Sequence, residues 1–183
     1  MANVLVPLAQ GCEELEAVTV VDLLRRAGIE VVTAGLDEQP VRASRGLVLL
    51  PDMTLDRALL QEYDMIVLPG GLPGADNLGN DARIIERLQS MSIAGKYTAA
   101  ICAAPRVLAR AGLLDGKRAT CYPGALEANT VPGLDCRDTP VVMDGTVITS
   151  RGPGTAMDFA LTLIELLAGK QQRDEVEAGL QRG

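Results

Sequence analysis

Residues 97–105, YTAAICAAP, contain an apolar run that passes directly into a helix-like segment. The pattern predicts a buried strand over residues 97–101 and a helix over residues 103–111 that ends at Gly112. Pro105 would lie in the first helical turn, where its missing N–H has no helical partner anyway. Because the neighbouring alanines are small, we expect a sharp strand-to-helix turn with Cys102 at its corner.

A thiol at this corner would lie at the positive end of the helix dipole, near the free amides of Ala103 and Ala104. That position predicts a lowered pKa for Cys102 and a nucleophilic thiolate. The geometry resembles the nucleophile elbow of hydrolases, with cysteine in place of serine. The alternative interpretation is that Cys102 is a small buried hydrophobic residue, since free cysteines are so often buried.

The rest of the chain alternates between strand-like and helix-like segments. Strands are predicted over residues 3–8, 30–34, 64–68 and 118–121, hairpins over 41–50 and 141–149, and helices over 13–27, 81–91 and 155–168. This alternation predicts a single α/β domain, residues 1–183, with a mostly parallel sheet and helices on both faces. The polar tail, residues 171–183, is expected to be a short helix or frayed. Ligands then belong at the carboxyl ends of the strands.

The composition excludes several classes of function. The net charge of −7 disfavours long nucleic acid as a partner. No apolar run reaches the roughly 20 residues of a membrane helix, and no basic signal region is visible, so we expect a cytoplasmic protein. Histidine is absent, and no metal or cofactor is expected from the spacing of the four cysteines, Cys12, Cys102, Cys121 and Cys136.

Two further loops carry candidate groups. Leu68-Pro69-Gly70-Gly71 follows a predicted strand, and an amide of Gly71 together with one of Ala103 could form an oxyanion hole. Taken alone, this loop is more typical of a plain strand-to-loop turn. In the first helix, Glu16 is three residues after Glu13 and can face inward. The acidic residues that open this helix are more typical of helix-dipole partners.

These segments, with Ser150-Arg151-Gly152-Pro153-Gly154-Thr155 near the end, resemble the ThiJ/PfpI superfamily, in particular the branch of the parkinsonism-associated protein deglycase and its bacterial homologues. The resemblance implies a flavodoxin-like three-layer sandwich and a homodimer. It also implies that Cys102 is the nucleophilic, oxidisable cysteine and that Glu16 contacts its sulfur. The backbone donors would be Gly71 and Ala103, and the pocket positions Gly70, Tyr122, Arg45, Gly152 and Pro153.

One departure from the family pattern limits the chemistry. Many relatives place a histidine beside the cysteine, whereas this chain has Tyr122 there and no histidine at all. A Cys-His relay is therefore excluded, and a peptidase function with it. A protonated Glu16 would instead donate a hydrogen bond to the Cys102 thiolate, so that the pair shares one proton.

The resemblance leaves three functions open. The first is a cysteine-dependent stress-response enzyme for glyoxal-type dicarbonyls or early glycation adducts, with a small aldehyde or dicarbonyl as substrate. The second is a non-enzymatic redox sensor or redox-regulated chaperone in which oxidation of Cys102 is the signal. The third is hydration of a small nitrogen compound.

Overall fold

The computed structural model describes residues 2–127 and 130–182. Its strands are β1 (Asn3–Leu8), β2 (Glu30–Gly35), β3 (Val41–Arg42), β4 (Val48–Leu49), β5 (Met53–Thr54), β6 (Met65–Leu68), β7 (Tyr97–Ile101), β8 (Arg118–Ala119), β9 (Asp135–Cys136), β10 (Val141–Asp144) and β11 (Val147–Ser150). Its helices are α1 (Glu14–Arg26), α2 (Leu55–Ala58), α3 (Gly74–Asn80), α4 (Ala82–Ile93), α5 (Pro105–Arg110), α6 (Ala156–Ala168) and α7 (Lys170–Gly179).

A central sheet of seven strands runs in the order β10-β11-β7-β6-β1-β2-β5. All its neighbouring pairs are parallel except the hairpin β10–β11 at one edge. Strands β3 and β4 form a separate antiparallel hairpin, and β8 and β9 form a separate parallel pair. The predicted α/β fold with a mostly parallel sheet is confirmed.

Alternate residues of the central strands bury on opposite faces, which gives the molecule two cores. In β1, Val4 and Val6 pack into the core on one face and Leu5 packs into the core on the other. The first core contains residues of α1 and α6, and the second contains residues of α4 and α5. Both cores are almost wholly aliphatic because the chain is only 2% aromatic. Helices therefore cover both faces, as a three-layer sandwich requires.

The local predictions differ from the structure in identifiable places. The β10–β11 hairpin is confirmed, although its two-residue turn is Gly145-Thr146, one position later than the Asp144-Gly145 turn that the sequence predicts. The tail forms the helix α7; its last residue, Gly183, lies outside the described ranges. Helix α5 begins at Pro105 and not at Ala103. Helix α3 was not predicted, because Pro73-Gly74 and two asparagines disfavour a helix.

The chain order of the sheet places a topological switch point between β1 and β6. From β1 the chain moves to β2 on one side, and later strands continue from β6 on the other side. Loops that leave β1 and β6 therefore diverge and open a crevice at the carboxyl ends of these strands, where ligands bind in open α/β sheets. Among residues 2–127 and 130–182, every helix is too short or too polar to cross a membrane.

Candidate active site around Cys102

Cys102 follows β7 and has a backbone conformation that is rare for residues with a side chain. Its φ is +64°, in the left-handed region, which costs roughly 1–2 kcal/mol for a non-glycine residue. Two hydrogen bonds hold the residue there. Its N–H donates to the Ser150 carbonyl at 2.9 Å, and its carbonyl accepts from the Tyr122 N–H at 2.8 Å. Strain of this kind is typical of functional positions.

Glu16, on the first turn of α1, lies beneath Cys102 and is completely buried. Its Oε2 accepts a hydrogen bond from the Gly70 N–H at 2.8 Å, and its carboxyl group also interacts with the Cys102 thiol. The other oxygen, Oε1, is buried and makes no standard hydrogen bond within residues 2–127 and 130–182. A buried carboxyl with an unsatisfied oxygen is poised to hold a proton.

The environment of Glu16 favours its neutral form. Burial raises the pKa of Glu16 to about 7, against the opposing effect of the hydrogen bonds from Gly70 and Cys102. Burial, and then the Glu16 carboxylate, raises the pKa of the Cys102 thiol to about 12. The N–H groups of Gly71 and Ala103 hydrogen-bond the sulfur and lower this pKa, but they do not dominate.

The expectation of a lowered Cys102 pKa is therefore wrong. Helix α5 has only six residues and begins three positions after the cysteine, so its dipole acts weakly on the sulfur. The thiol is only 8% exposed and has a carboxyl group as its neighbour. Above about pH 7 the pair carries one negative charge and one remaining proton, which the two groups share.

Two glycines allow the β6 loop to approach this pair. A Cβ atom on Gly70 would lie 2.6 Å from the Cys102 Cβ and 2.8 Å from Glu16 Oε2. Gly71 has a φ of +87°, and a Cβ there would lie 2.4 Å from the Glu13 backbone nitrogen. Only glycine fits at either position, because both neighbours are close and backbone atoms cannot move aside cheaply.

Above the sulfur opens a cleft of about 460 Å³. Its lining residues are Glu13, Ser44, Arg45, Gly71, Leu72, Cys102, Ala103, Arg106, Tyr122, Pro123, Gly124, Ala125 and Pro153. The structure thus brings Arg45, Tyr122 and Pro153 to the cleft with Cys102. Gly152 lies next to the Tyr122 ring, since a Cβ there would be 3.3 Å from the ring atom Cδ2. Gly70 and Glu16 lie below the cleft.

The β3–β4 hairpin is tied to the start of α1, and this tie places Arg45. The Ser44 hydroxyl donates to Glu13 Oε2 at 2.8 Å, and the Arg45 N–H donates to Glu14 Oε1 at 2.9 Å. The backbone hydrogen bonds lower the pKa of Glu14 although its burial opposes them. Sequence reasoning assigned these acidic residues to the helix dipole and missed this role.

The sequence analysis also missed Arg106, which is four residues after Cys102. Its guanidinium Nη1 pairs with Asp76 at 2.8 Å, and its Nη2 donates to the Ala125 carbonyl at 3.3 Å. The available signal was the position of Arg106 in the first turn of α5, directly after the cysteine corner.

Comparisons with known proteins show similarity over nearly the whole chain. Protein dj-1beta of Drosophila melanogaster is 45% identical over 181 residues, which cover 97% of this chain and 96% of that protein. Its crystal structure matches with a TM-score of 0.93 over 100% of this chain and 98% of that chain, at 44% identity. A Caenorhabditis elegans protein named glutathione-independent glyoxalase DJR-1.2 is 35% identical over 175 residues, 96% of this chain and 92% of its own length. The model of the DJ-1/PfpI family matches residues 2–166, and the chain belongs to this family.

Proposed function

We propose that this chain is a stress-response protein of the DJ-1 type that acts on glyoxal-type dicarbonyls or early glycation adducts. The observation that carries the proposal is the buried Glu16–Cys102 pair at the floor of an open cleft. The worm relative with a glyoxalase name supports the same class of substrate. A pKa of about 7 for Glu16 suits a group that must both accept and donate a proton near neutral pH.

In the proposed reaction, the Cys102 sulfur attacks the aldehyde carbon of the dicarbonyl to form a hemithioacetal, and the carbonyl oxygen takes a proton. Glu16 then removes the proton from that carbon and returns one to the neighbouring carbonyl carbon, while the hydroxyl proton of the hemithioacetal moves to the neighbouring carbonyl oxygen. A thioester of a 2-hydroxy acid is left. Water hydrolyses the thioester, and the thiol and the hydroxy acid are released. Each bond to sulfur that forms is broken again, so the cysteine is unchanged after one cycle.

Arg45 and Arg106 line the cleft near this path and supply N–H donors for the oxygens of the substrate. Tyr122 is 52% exposed, and we assign its phenol O–H the role of a hydrogen-bond donor that orients substrate, with no role as a base. The amides of Gly71 and Ala103, which hydrogen-bond the sulfur, stabilise its charge as the thiolate forms and leaves.

The test is consumption of methylglyoxal by the purified protein in the absence of glutathione, with the hydroxy acid product measured directly. We expect turnover by the parent protein, a loss of at least about tenfold in Glu16→Gln, and no turnover in Cys102→Ser. Circular dichroism of both variants checks that they fold. Parent turnover no faster than that of Cys102→Ser would contradict the proposal.

The second candidate is a redox sensor or redox-regulated chaperone that uses oxidation of Cys102. One observation favours it: a sulfinate at this sulfur would lie beside the Glu16 carboxyl and the two amides that already hydrogen-bond the sulfur. These donors would stabilise a sulfinate and slow further oxidation. Sulfinate formation on Cys102 in a protein that does not consume dicarbonyls would favour this second function.

We also propose that the chain acts as a homodimer in the cytoplasm. Five apolar side chains on α1 and the β3–β4 hairpin are about half or more exposed; they are Leu15, Val18, Leu47, Val48 and Leu50. An exposed patch of this kind is typical of a protein–protein interface. The free thiols match a reducing compartment. Light scattering of the parent and of Val18→Asp tests the dimer, and we expect the variant to be monomeric.

A further inference from the structure

Two cysteines that take no part in the proposed reaction meet beside the cleft. Cys136 lies on β9 and is paired in register with Ala119 of β8. The Arg137 N–H donates to the Ala119 carbonyl at 2.8 Å and fixes this pairing. Cys121 follows Ala119 by two residues. The parallel pair β8–β9 therefore brings Cys121 and Cys136 near each other, although they are 15 residues apart in the chain.

The surroundings of the Cys121 sulfur include the Cys136 thiol and the N–H groups of Leu126 and Ala125. Cys136 is exposed and Cys121 is partly exposed, and both are free thiols. Burial, and then the Cys136 thiol, raises the pKa of Cys121, and the two amides oppose this effect because they stabilise a thiolate.

We propose that Cys121 and Cys136 form a reversible intramolecular disulfide when the protein meets a peroxide, independently of Cys102. This proposal is independent of the proposed function, since the disulfide requires neither dicarbonyl turnover nor oxidation of Cys102. In a reducing cell such a bond would form transiently, as redox-sensing disulfides do.

The exposed Cys136 thiolate attacks one peroxide oxygen; the O–O bond breaks, and a sulfenic acid and water are formed. The Cys121 sulfur then attacks the sulfenic sulfur, the S–O bond breaks, and a second water leaves as the S–S bond forms. Overall, two thiols lose two electrons and two protons, and hydrogen peroxide is reduced to two waters.

An S–S bond of about 2.05 Å requires the two sulfurs to move into covalent contact. Because Cys136 is exposed, its side chain is free to rotate toward the Cys121 sulfur. The disulfide would hold the segment that carries Tyr122 and Ala125, which are two residues of the cleft wall.

Cys102 and Cys12 lack these features. The polar groups that contact the Cys102 sulfur are Glu16, Gly71 and Ala103. Cys12 is completely buried, and burial raises its pKa to about 11. Peroxide should therefore give different products at different sites: a disulfide at the pair, and an oxygen adduct at Cys102.

The sequence makes the test direct. Trypsin cleaves after Arg118 and Arg137, so both cysteines of the pair lie on one peptide, residues 119–137. After graded hydrogen peroxide and alkylation, we expect this peptide to be two hydrogens lighter, to carry no alkyl group, and to regain two alkylation sites after dithiothreitol. Cleavage after Glu127 should leave its two halves joined. The same result is expected in Cys102→Ser.

Two matched variants complete the test. In Cys121→Ser and in Cys136→Ser we expect the remaining thiol of the pair to proceed to sulfinic acid under the same dose, with no recovery by dithiothreitol. The proposal is overturned if Cys136 in the parent protein reaches sulfinic acid while Cys121 stays alkylatable. It is also overturned if cross-linked peptides join two chains and not positions 121 and 136 of one chain.

Discussion

Replacing Glu16 with glutamine should change the pH dependence of stability in a way that identifies the buried carboxyl. Folding raises the pKa of Glu16 from 4.5 to about 7, so the folded state holds this proton more tightly than the unfolded state. The contribution of Glu16 to stability is therefore fully present below pH 4.5 and is lost as the pH rises through about 7. Glu16→Gln removes this dependence.

The size follows from the two pKa values. Between about pH 5 and about pH 8, the shift from 4.5 to about 7 corresponds to a loss of about 2.5 kcal/mol in the free energy of unfolding. The parent protein contains no histidine, so few other side chains titrate in this interval. We expect Glu16→Gln to become more stable relative to the parent by about this amount over the interval.

The assay is urea unfolding of both proteins at the two pH values, followed by circular dichroism. Glu14→Gln is the matched control: Glu14 is on the same helix, but its pKa is lowered, so its removal should change stability equally at both pH values. Parallel pH dependence in the parent and Glu16→Gln would refute a raised pKa for Glu16. It would also remove the reason for giving this residue a proton-transfer role.

Three further outcomes are expected. Turnover of methylglyoxal should rise with pH through about 7, as the Glu16–Cys102 pair loses its first proton. Tyr122→Phe should retain most activity with the same pH profile, and Cys102→Ser should be inactive at every pH. If Tyr122→Phe were as inactive as Cys102→Ser, the phenol would be catalytic. Gly70→Ala should lower the free energy of unfolding by about 1–3 kcal/mol, because its Cβ would lie 2.6 Å from the Cys102 Cβ, and an unchanged urea midpoint would contradict this packing. Cys102→Gly should be more stable than Cys102→Ala by about 1 kcal/mol, since glycine relieves the φ of +64°, and equal midpoints would mean that the turn is unstrained.

Much of the fold could be predicted because local signals agree with it. The run from Tyr97 to Ile101 is apolar and bounded, and the structure assigns a strand to the same five residues. The alternation of strands and helices along the chain predicted a mostly parallel sheet with helices on both faces, as the structure has it. Helix α3 could not be predicted, because its residues have low helix propensity and are held by tertiary packing, with Ala75 and Leu78 completely buried.

The sequence and the family resemblance predicted that Cys102 and Glu16 lie close together, but not their electrostatics. Cys102 and Glu16 are far apart in sequence, and the resemblance alone brought them together. The sign of the Cys102 pKa shift depends on burial and on the length of α5, and neither can be measured from a strand-turn-helix pattern. Close contacts between two backbone segments cannot be predicted from the sequence for the same reason. A Cβ on Gly74 would lie 2.6 Å from the Cys12 backbone, which nothing in either segment indicates.

The absence of histidine gives the Glu16–Cys102 pair a particular importance. Without an imidazole, a group that exchanges protons near neutral pH must come from a carboxyl or a thiol with a shifted pKa. Burial of Glu16 beneath the elbow provides one, and the same burial costs the folded state stability above neutral pH. The β6 loop approaches this pair through Gly70 and Gly71, where an added Cβ would lie 2.6 Å from the Cys102 Cβ and 2.4 Å from the Glu13 nitrogen. Under the proposed function, the chemistry of this pair, and not stability, explains why the fold keeps an unfavourable carboxyl under a strained cysteine and packs backbone around it.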